Sequence, residues 1–416
     1  MNNITPAYIK EHINSQISIC GCVYKIRKSS GLSFVLLRNG KYTYQTVYIP
    51  DLCKTPLSLI CEGAYVCICG DVTEEKRAEY GFEITIKSFD VLSFPKEDIP
   101  FSSAQTTLGA NINDAISNPQ AAIKHARTRA ILQIRGAVSY AYAQFMQKNN
   151  YIAINTPKTT SIHTGANYIS VRYFDKDLSL TSSPSLYKIM AVGGLDNVYE
   201  IGAGYFGRHG NSLRHLNEYT RLDFENSYSS DKDTIKTLTD CINYICTYVS
   251  GNCKNELEYL DILISIPDTI PTIEYNEAIL ILQKQSSQTE LDPTDEQKLC
   301  KYSQERYNYN YIFVTNIPSD KRPFYEKDEK GFVLLSNGIE IASGGEHISD
   351  YDEQLNKIIC RGMNITDYSE FLATHKYALP QISGGAIGLE RFIMALLNLS
   401  NIREASFIAR DFNHTI

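Results

Sequence analysis

"EIGAGYFGRHGNSLRHLNEYTRLDFE", residues 200–225, decides how this chain is read. Apolar and aromatic residues alternate at both ends, and "GRHGNS" separates them. The pattern predicts a hairpin: a strand through Tyr205–Arg208, a turn, and a returning strand over "LRHLNEYTRLDF". Period-2 alternation then puts Phe206 and Arg208 on one face of the first strand. In the second, Arg214, Leu216 and Glu218 share a face, and His215, Asn217 and Tyr219 share the other. A cationic hairpin beside an aromatic ring suits a polyphosphate and a base. A solvated hairpin is the plainer alternative.

Working outward, residues 16–94 hold five short β-branched or aromatic runs, from "QISICGCVYKI" to "GFEITIKSFDVLS". Five strands in so short a stretch fit a small closed barrel of the OB type. Residues 1–97 are therefore expected to form one domain, 98–120 a polar linker, and 121–416 a second domain. The second opens with "NPQAAIKHARTRAILQIRGAVSYAYAQFMQKNN", where apolar residues recur every three or four positions. One long amphipathic helix is expected there. Beyond it, strands and helices come in separate clusters rather than as repeated βαβ units. The expected class is α+β, with an antiparallel sheet core flanked by helices.

Composition narrows the function. The chain has 416 residues and a net charge of −7, with 47 acidic against 40 basic side chains. That balance argues against a surface that coats nucleic acid generally, though a local basic groove is compatible with it. No apolar run approaches the ~20 residues of a membrane span. "MNNITPAYIKEHINSQ" lacks the marks of a secretory signal, so a cytoplasmic location is expected. Cys20/Cys22 and Cys67/Cys69 have strand-face spacing rather than zinc-site spacing. All eleven cysteines are expected to be reduced, buried thiols.

Two further motifs carry chemistry. "SGGAIGLERF" (383–392) sets a glycine-rich strand end, Gly388 included, against a helix bearing Arg391. Glycines admit a ligand close to the backbone, and arginine stacks on a base or pairs with phosphate. A tight strand-to-helix turn is the structural alternative. In "NGIEIASGGEH" (337–347), Glu340 and Ser343 stand beside a pair of glycines read as a turn. A carboxylate and a hydroxyl are oxygen ligands of the kind magnesium takes. A strand residue followed by a serine turn is again the alternative.

These pieces, in this order, resemble the three signature motifs of class II aminoacyl-tRNA synthetases, aspartyl/asparaginyl subgroup. "RTRAILQIRGAVSYAYAQFMQKNNYIAINTP" resembles the first motif, "RHLNEYTRLDFE" the second half of the second, and "GGAIGLERFIMALLNLSNIREASFIARD" the third. "SSPSLYKIMAVGGLDNVYEIG" is similar to the substrate-binding segment, and "CGCVYKIRKSSGLSFVLLRNGKYTYQTVYI" to the anticodon-binding OB-fold. The resemblance implies an ATP- and Mg2+-dependent, AMP-forming reaction. An amino-acid carboxylate attacks the α-phosphate, and the acyl group passes to tRNA. It implies an ATP site of Arg208, Arg214, His215, Leu216, Tyr219, Glu340, Gly388 and Arg391, with Glu340 and Ser343 on the metal. It implies a substrate pocket of His163, Ser183, Ser185, Lys188, Glu346 and His347, and anticodon contacts from Arg27, Phe34 and Gln45. A homodimer through the first-motif helix is implied too.

The chain departs from the family pattern at several of these positions. The second-motif arginine that meets the α-phosphate is Phe206 here, and the following glutamate is Arg208. Arg208 is the expected compensating cation. The usual ammonium clamp is "HTGA", with His163 in the glutamate's place, and the usual "SGAQR" is "SGGEH", with Glu346 and His347. These changes favour a diverged ligase acting on a carboxylate other than ordinary aspartate. An ordinary aspartate or asparagine ligase and a non-catalytic tRNA-binding protein are the alternatives.

Overall fold

The computed structural model describes residues 4–97, 112–162, 167–210, 212–284 and 291–414. The chain divides into two compact units, Met1–Ala126 and Arg127–Ile416. Of the stretch read as a linker, 98–111 lies outside the described residues, and Ile112–Ser117 and Pro119–Ala122 are short helices.

In the first unit, β1 (Gln16–Ser29), β2 (Leu32–Asn39), β3 (Tyr42–Tyr48), β4 (Tyr65–Glu74) and β5 (Phe82–Ser93) close into a barrel of order β1-β2-β3-β5-β4. Alternation does the sorting. Val35, Leu37, Tyr44, Val66, Ile68, Val72, Ile84 and Ile86 all point inward and are fully buried. One expectation is corrected here. Register sets Cys20 opposite Cys67 across β1 and β4, and the two form a disulfide. The other nine cysteines are not in disulfides, and five of those are buried. Period-2 spacing places a cysteine on a strand face but does not say which strand lies beside it.

The second unit is built on an eight-stranded sheet of order β12-β13-β14-β15-β16-β11-β10-β6. Its strands are β6 (Ile152–Ala153), β10 (Asn197–Tyr205), β11 (Glu218–Ser227), β12 (Thr272–Glu274), β13 (Tyr311–Ile317), β14 (Glu326–Ser336), β15 (Ile339–His347) and β16 (Ile382–Gly388). A small sheet of β7 (Thr159–Thr160), β8 (Ser170–Tyr173) and β9 (Lys176–Leu180) lies apart from it in the pairing. The main sheet is antiparallel inside and parallel at its edges, where β6 joins β10 and β12 joins β13. Helix formation also differs from expectation. The long helix runs only over Ala126–Lys148, separate from Pro119–Ala122. A helix, Ser185–Leu195, precedes strand β10, and Pro293–Tyr307 is helical with a full capping box from Asp292 and Asp295.

Strand β11 explains why the sheet can carry a site. "RLDFE" alternates charged and apolar residues. Leu222 and Phe224 are fully buried against helices Ala126–Lys148 and Asp231–Asn252. Arg221, Asp223 and Glu225 therefore face the other side. Neighbouring strands leave room for them. Gly344 pairs with Gly385 and Gly345 with Gly384, in mid-strand rather than in the turn expected for Gly344 and Gly345. A Cβ at Gly384 would lie 2.4 Å from Glu225 Oε2 and 2.6 Å from the Phe224 carbonyl oxygen. Gly384→Ala should therefore destabilise the second unit by about 1–3 kcal/mol. Gly251→Ala, in a helix with open space around it, should stabilise it by up to ~1 kcal/mol. Urea unfolding of the two variants checks both signs, and an unchanged midpoint for Gly384→Ala contradicts the packing account.

Candidate active site

The cationic segment does not form the hairpin that alternation predicts. Strand β10 ends at Tyr205. Phe206 N still donates to Asn217 O at 2.9 Å, and Arg208 N then folds back onto Phe206 O at 2.8 Å. Strand β11 begins only at Glu218, so the two-face assignment of residues 213–217 does not apply. The intervening loop is pinned from the chain end instead. Leu213 O accepts from Ile402 N at 2.9 Å, Ser212 O from Arg403 Nη1 at 3.1 Å, and Asn217 N donates to Arg410 O at 2.8 Å. Arg403 is itself fixed by a buried ion pair to Asp411 at 2.5 Å.

That loop brings the expected ATP-site residues to one cavity of about 330 Å³. Phe206, Arg208, Arg214, His215, Leu216, Tyr219, Glu340, Ser343, Gly388 and Arg391 all line it. Arg391 is held by carbonyls, not carboxylates: Nε donates to Arg214 O at 3.4 Å and Nη1 to Glu340 O at 3.2 Å. Its charge is left for a ligand. Glu390 anchors the same helix, accepting from Arg135 Nη2 and from Thr220 N, each at 2.9 Å. Tyr219 is tethered by its hydroxyl to Ser182 O at 3.0 Å. Arg214 is paired with Glu296 and donates to Gly338 O at 3.0 Å. Burial pushes the Glu296 carboxyl up even beside that arginine.

His215 reports the field in this cavity. Its Nδ1 accepts from Arg208 Nη1 at 3.2 Å and lies 3.0 Å from Ser212 Oγ. Burial, then Arg391, Arg208 and Arg214, push the imidazole down to about 4. A neutral histidine among three guanidinium groups is an electrostatic vacancy for an anion.

Glu340 and Ser343 reach the same cavity through a β-bulge. Leu334 pairs with Ala342 but Leu335 pairs with Glu340, so Ile341 is the extra residue. The bulge shifts the side-chain parity by one and brings residues three apart onto one face. A carboxylate and a hydroxyl so placed fit a magnesium ion, which completes its shell with water and phosphate oxygens. No cluster of three or more His, Cys, Asp or Glu side chains suited to a metal exists among the described residues.

A second cavity of about 170 Å³ adjoins the first, and Arg221, Ser343 and Ala386 line both. Ser183, Ser185, Lys188 and His347 line it as expected, with Arg322, Tyr325 and Glu326 in addition. Lys188 is 2% exposed and stands 3.1 Å from Asp223 Oδ1 and 3.4 Å from Glu225 Oε2. Arg221 grips Asp223 in a bidentate pair at 2.9 and 3.0 Å. Burial favours the neutral carboxyl of Asp223, but Arg221 and Lys188 prevail and hold it well below the usual carboxylate range. His347 Nδ1 is 2.6 Å from Glu225 Oε1, and Arg322 forks onto Glu326 at 2.7 and 2.8 Å. Glu346 does not join: it pairs with Lys327 at 2.8 Å and lies outside the cavity lining. His163 lies outside the described residues. Arg221 and Arg322 were missed. The period-2 spacing of Tyr219, Arg221 and Asp223 carried a signal for the first.

In the barrel, Arg27 pairs across strands with Phe34, and Leu36 with Gln45, so Arg27, Phe34 and Gln45 share one outer face. Gln45 Nε2 donates to Glu83 at 3.0 Å.

Residues 113–411 match the model of the tRNA synthetases class II (D, K and N). The aspartate–tRNA(Asp/Asn) ligase of Methanoculleus marisnigri is 30% identical over 94% of this chain and 95% of its own length. That of Methanococcoides burtonii is 28% identical over 96% and 94%. The asparaginyl-tRNA synthetase of Pyrococcus horikoshii, solved with asparaginyl-adenylate, shares the fold, with a TM-score of 0.89 at 23% identity over 99% of this chain and 97% of that one. No helix among the described residues is long and apolar enough to cross a membrane. The chain thus belongs to the class II tRNA synthetases of the aspartate, lysine and asparagine group, a family of ATP-dependent aminoacyl-tRNA ligases.

Proposed function

We propose that this chain activates a small carboxylic acid with ATP, releasing pyrophosphate, and passes the acyl group to tRNA, as an aspartate/asparagine-type ligase. The adjoining cavities carry the reading: one is ringed by Arg208, Arg214, His215 and Arg391, the other by Lys188, Arg221 and Arg322. In the first, Arg391 and Tyr219 flank the base, and Arg208, Arg214 and His215 face the outer phosphates. Glu340 and Ser343 would hold Mg2+, which would screen the phosphate charge. In the second, cations pinned by carboxylates orient the acid before reaction, so ordering costs little at the barrier. The outer barrel face with Arg27, Phe34 and Gln45 is where single-stranded anticodon bases stack and pair. Helix Ala126–Lys148, with Tyr140 exposed, is the surface through which two copies pair.

A second reading, a ligase for a carboxylate other than aspartate, is favoured by His347. It stands where the resemblance implies an arginine, and it is buried against Glu225.

Exchange of labelled pyrophosphate into ATP, across amino acids and related acids with and without tRNA, separates the readings. Exchange with aspartate or asparagine is the expected result. Exchange with another acid alone selects the second reading, and none with any acid rejects both. Arg208→Ala should lower kcat/KM for ATP by ~10–100-fold, the scale of one charge-assisted contact, and an unchanged value removes Arg208 from the site. His215 supplies a pH test. The free site holds it neutral above about 4, and phosphate beside it raises its proton affinity. Nucleotide binding should then take up protons, and affinity should tighten as pH falls from 8 to 6 more steeply in the unmodified protein than in His215→Gln. Equal slopes by titration calorimetry contradict this role.

A further inference from the structure

The resemblance implies a cation at the reacting phosphate, and this chain puts the ring of Phe206 there. The bond to be made joins phosphorus to a carboxylate oxygen, so it forms where the nucleotide and acid cavities adjoin. Arg221, Ser343 and Ala386 line both cavities, and Arg221 alone of the three is charged. Its Nε and Nη2 are committed to Asp223 at 2.9 and 3.0 Å. Its Nη1 makes no hydrogen bond among the described residues, and the side chain keeps 20% exposure at the cavity wall. The side chain also reaches strand β10 at Gly204. A Cβ at Gly204, two residues before Phe206, would lie 2.9 Å from Arg221 Cδ. Arg208 has a different position. It lines only the nucleotide cavity and is bonded to His215.

We propose that Arg221, rather than Arg208, is the catalytic cation at the reacting phosphate, replacing from strand β11 the arginine that Phe206 displaces just past the end of strand β10. The proposal rests on the ATP-dependent ligase reading above. A carboxylate oxygen forms a bond to the α-phosphorus while the bond from that phosphorus to the pyrophosphate oxygen breaks. The electron pair leaves with pyrophosphate, and no proton moves. Negative charge grows on the non-bridging oxygens of the α-phosphate, and Arg221 Nη1 donates to them. Asp223 fixes the guanidinium beforehand, so little reorganisation is needed as the charge develops.

The test uses the full chain and the acid that best supports pyrophosphate exchange. If the unmodified protein exchanges with no acid, the ligase reading itself fails, and the proposal falls with it for a reason the variants below would not give. With exchange established, Arg221→Gln should lower kcat of exchange at least 100-fold while the ATP dissociation constant stays within threefold. Arg221→Lys should lie between, because an ammonium lacks the fork that holds Asp223 and donates at once. Circular dichroism and thermal melting identify a folding loss. The decisive variant restores the displaced cation. Phe206→Arg placed in Arg221→Gln should recover exchange at least tenfold, which a merely structural role for Arg221 does not allow. Exchange by Arg221→Gln within threefold of the unmodified protein, or a loss that Phe206→Arg leaves unchanged, overturns the proposal.

Discussion

The carboxylate of Asp223 is the constraint on which the rest of the site depends. It is 1% exposed and carries two cations, Arg221 from its own strand and Lys188 from helix Ser185–Leu195. One carboxylate therefore ties a helix to the sheet and sets the direction of a guanidinium. Glu225 extends the network to His347 on β15. Burying these charges is costly in itself, so the network adds little net stability compared with an apolar core. Removing a single member, however, leaves a buried charge unpaired, typically at about 3–5 kcal/mol. Stability from Asp223 is full above the ordinary aspartate range and is lost only as pH falls toward its depressed native value. Asp223 stays ionised at neutral pH, as a preorganised site requires.

The surrounding backbone is shaped to make that network fit. Paired glycines on β15 and β16 remove the side chains that would occupy the same space. The Ile341 bulge turns Glu340 and Ser343 to one face beside it. Residues 402–410 fix the cationic loop by hydrogen bonds to its backbone, so the positions of Arg214 and His215 do not depend on strand pairing. The cations of residues 208–215 and those of the acid cavity thus have separate supports. They meet at Arg221.

Much of this was legible in the sequence, for identifiable reasons. The barrel strands declared themselves by alternation, since one face is buried and the other is not. Arg214, His215, Leu216, Tyr219 and Arg391 were found as a set because their order along the chain resembles a family pattern. Local geometry was less legible. Alternation cannot show that "RHGNSLRHLN" leaves the ladder, because its hydrogen bonds go to residues near 402 and 410, far away in sequence. A bulge leaves no mark in "GIEIASGG", and glycines in mid-strand read as a turn until their crowded neighbours are known. Helix Ser185–Leu195 was missed because its small and apolar residues carry little helical period. Arg221 was overlooked for a different reason: it stands among alternating residues like any strand cation. Period-2 spacing puts it on the face of Tyr219 and Asp223, and the junction of two cavities distinguishes it there.

The central claim is that a carboxylate oxygen and the α-phosphate meet between the two cavities. The most direct measurement follows that oxygen. With the acid that supports exchange labelled with 18O in its carboxylate, one complete turnover in the presence of tRNA should release AMP carrying one labelled oxygen. Unlabelled AMP, or AMP labelled only when the water carries 18O, would show that the acid never bonded to the α-phosphate and would contradict the account.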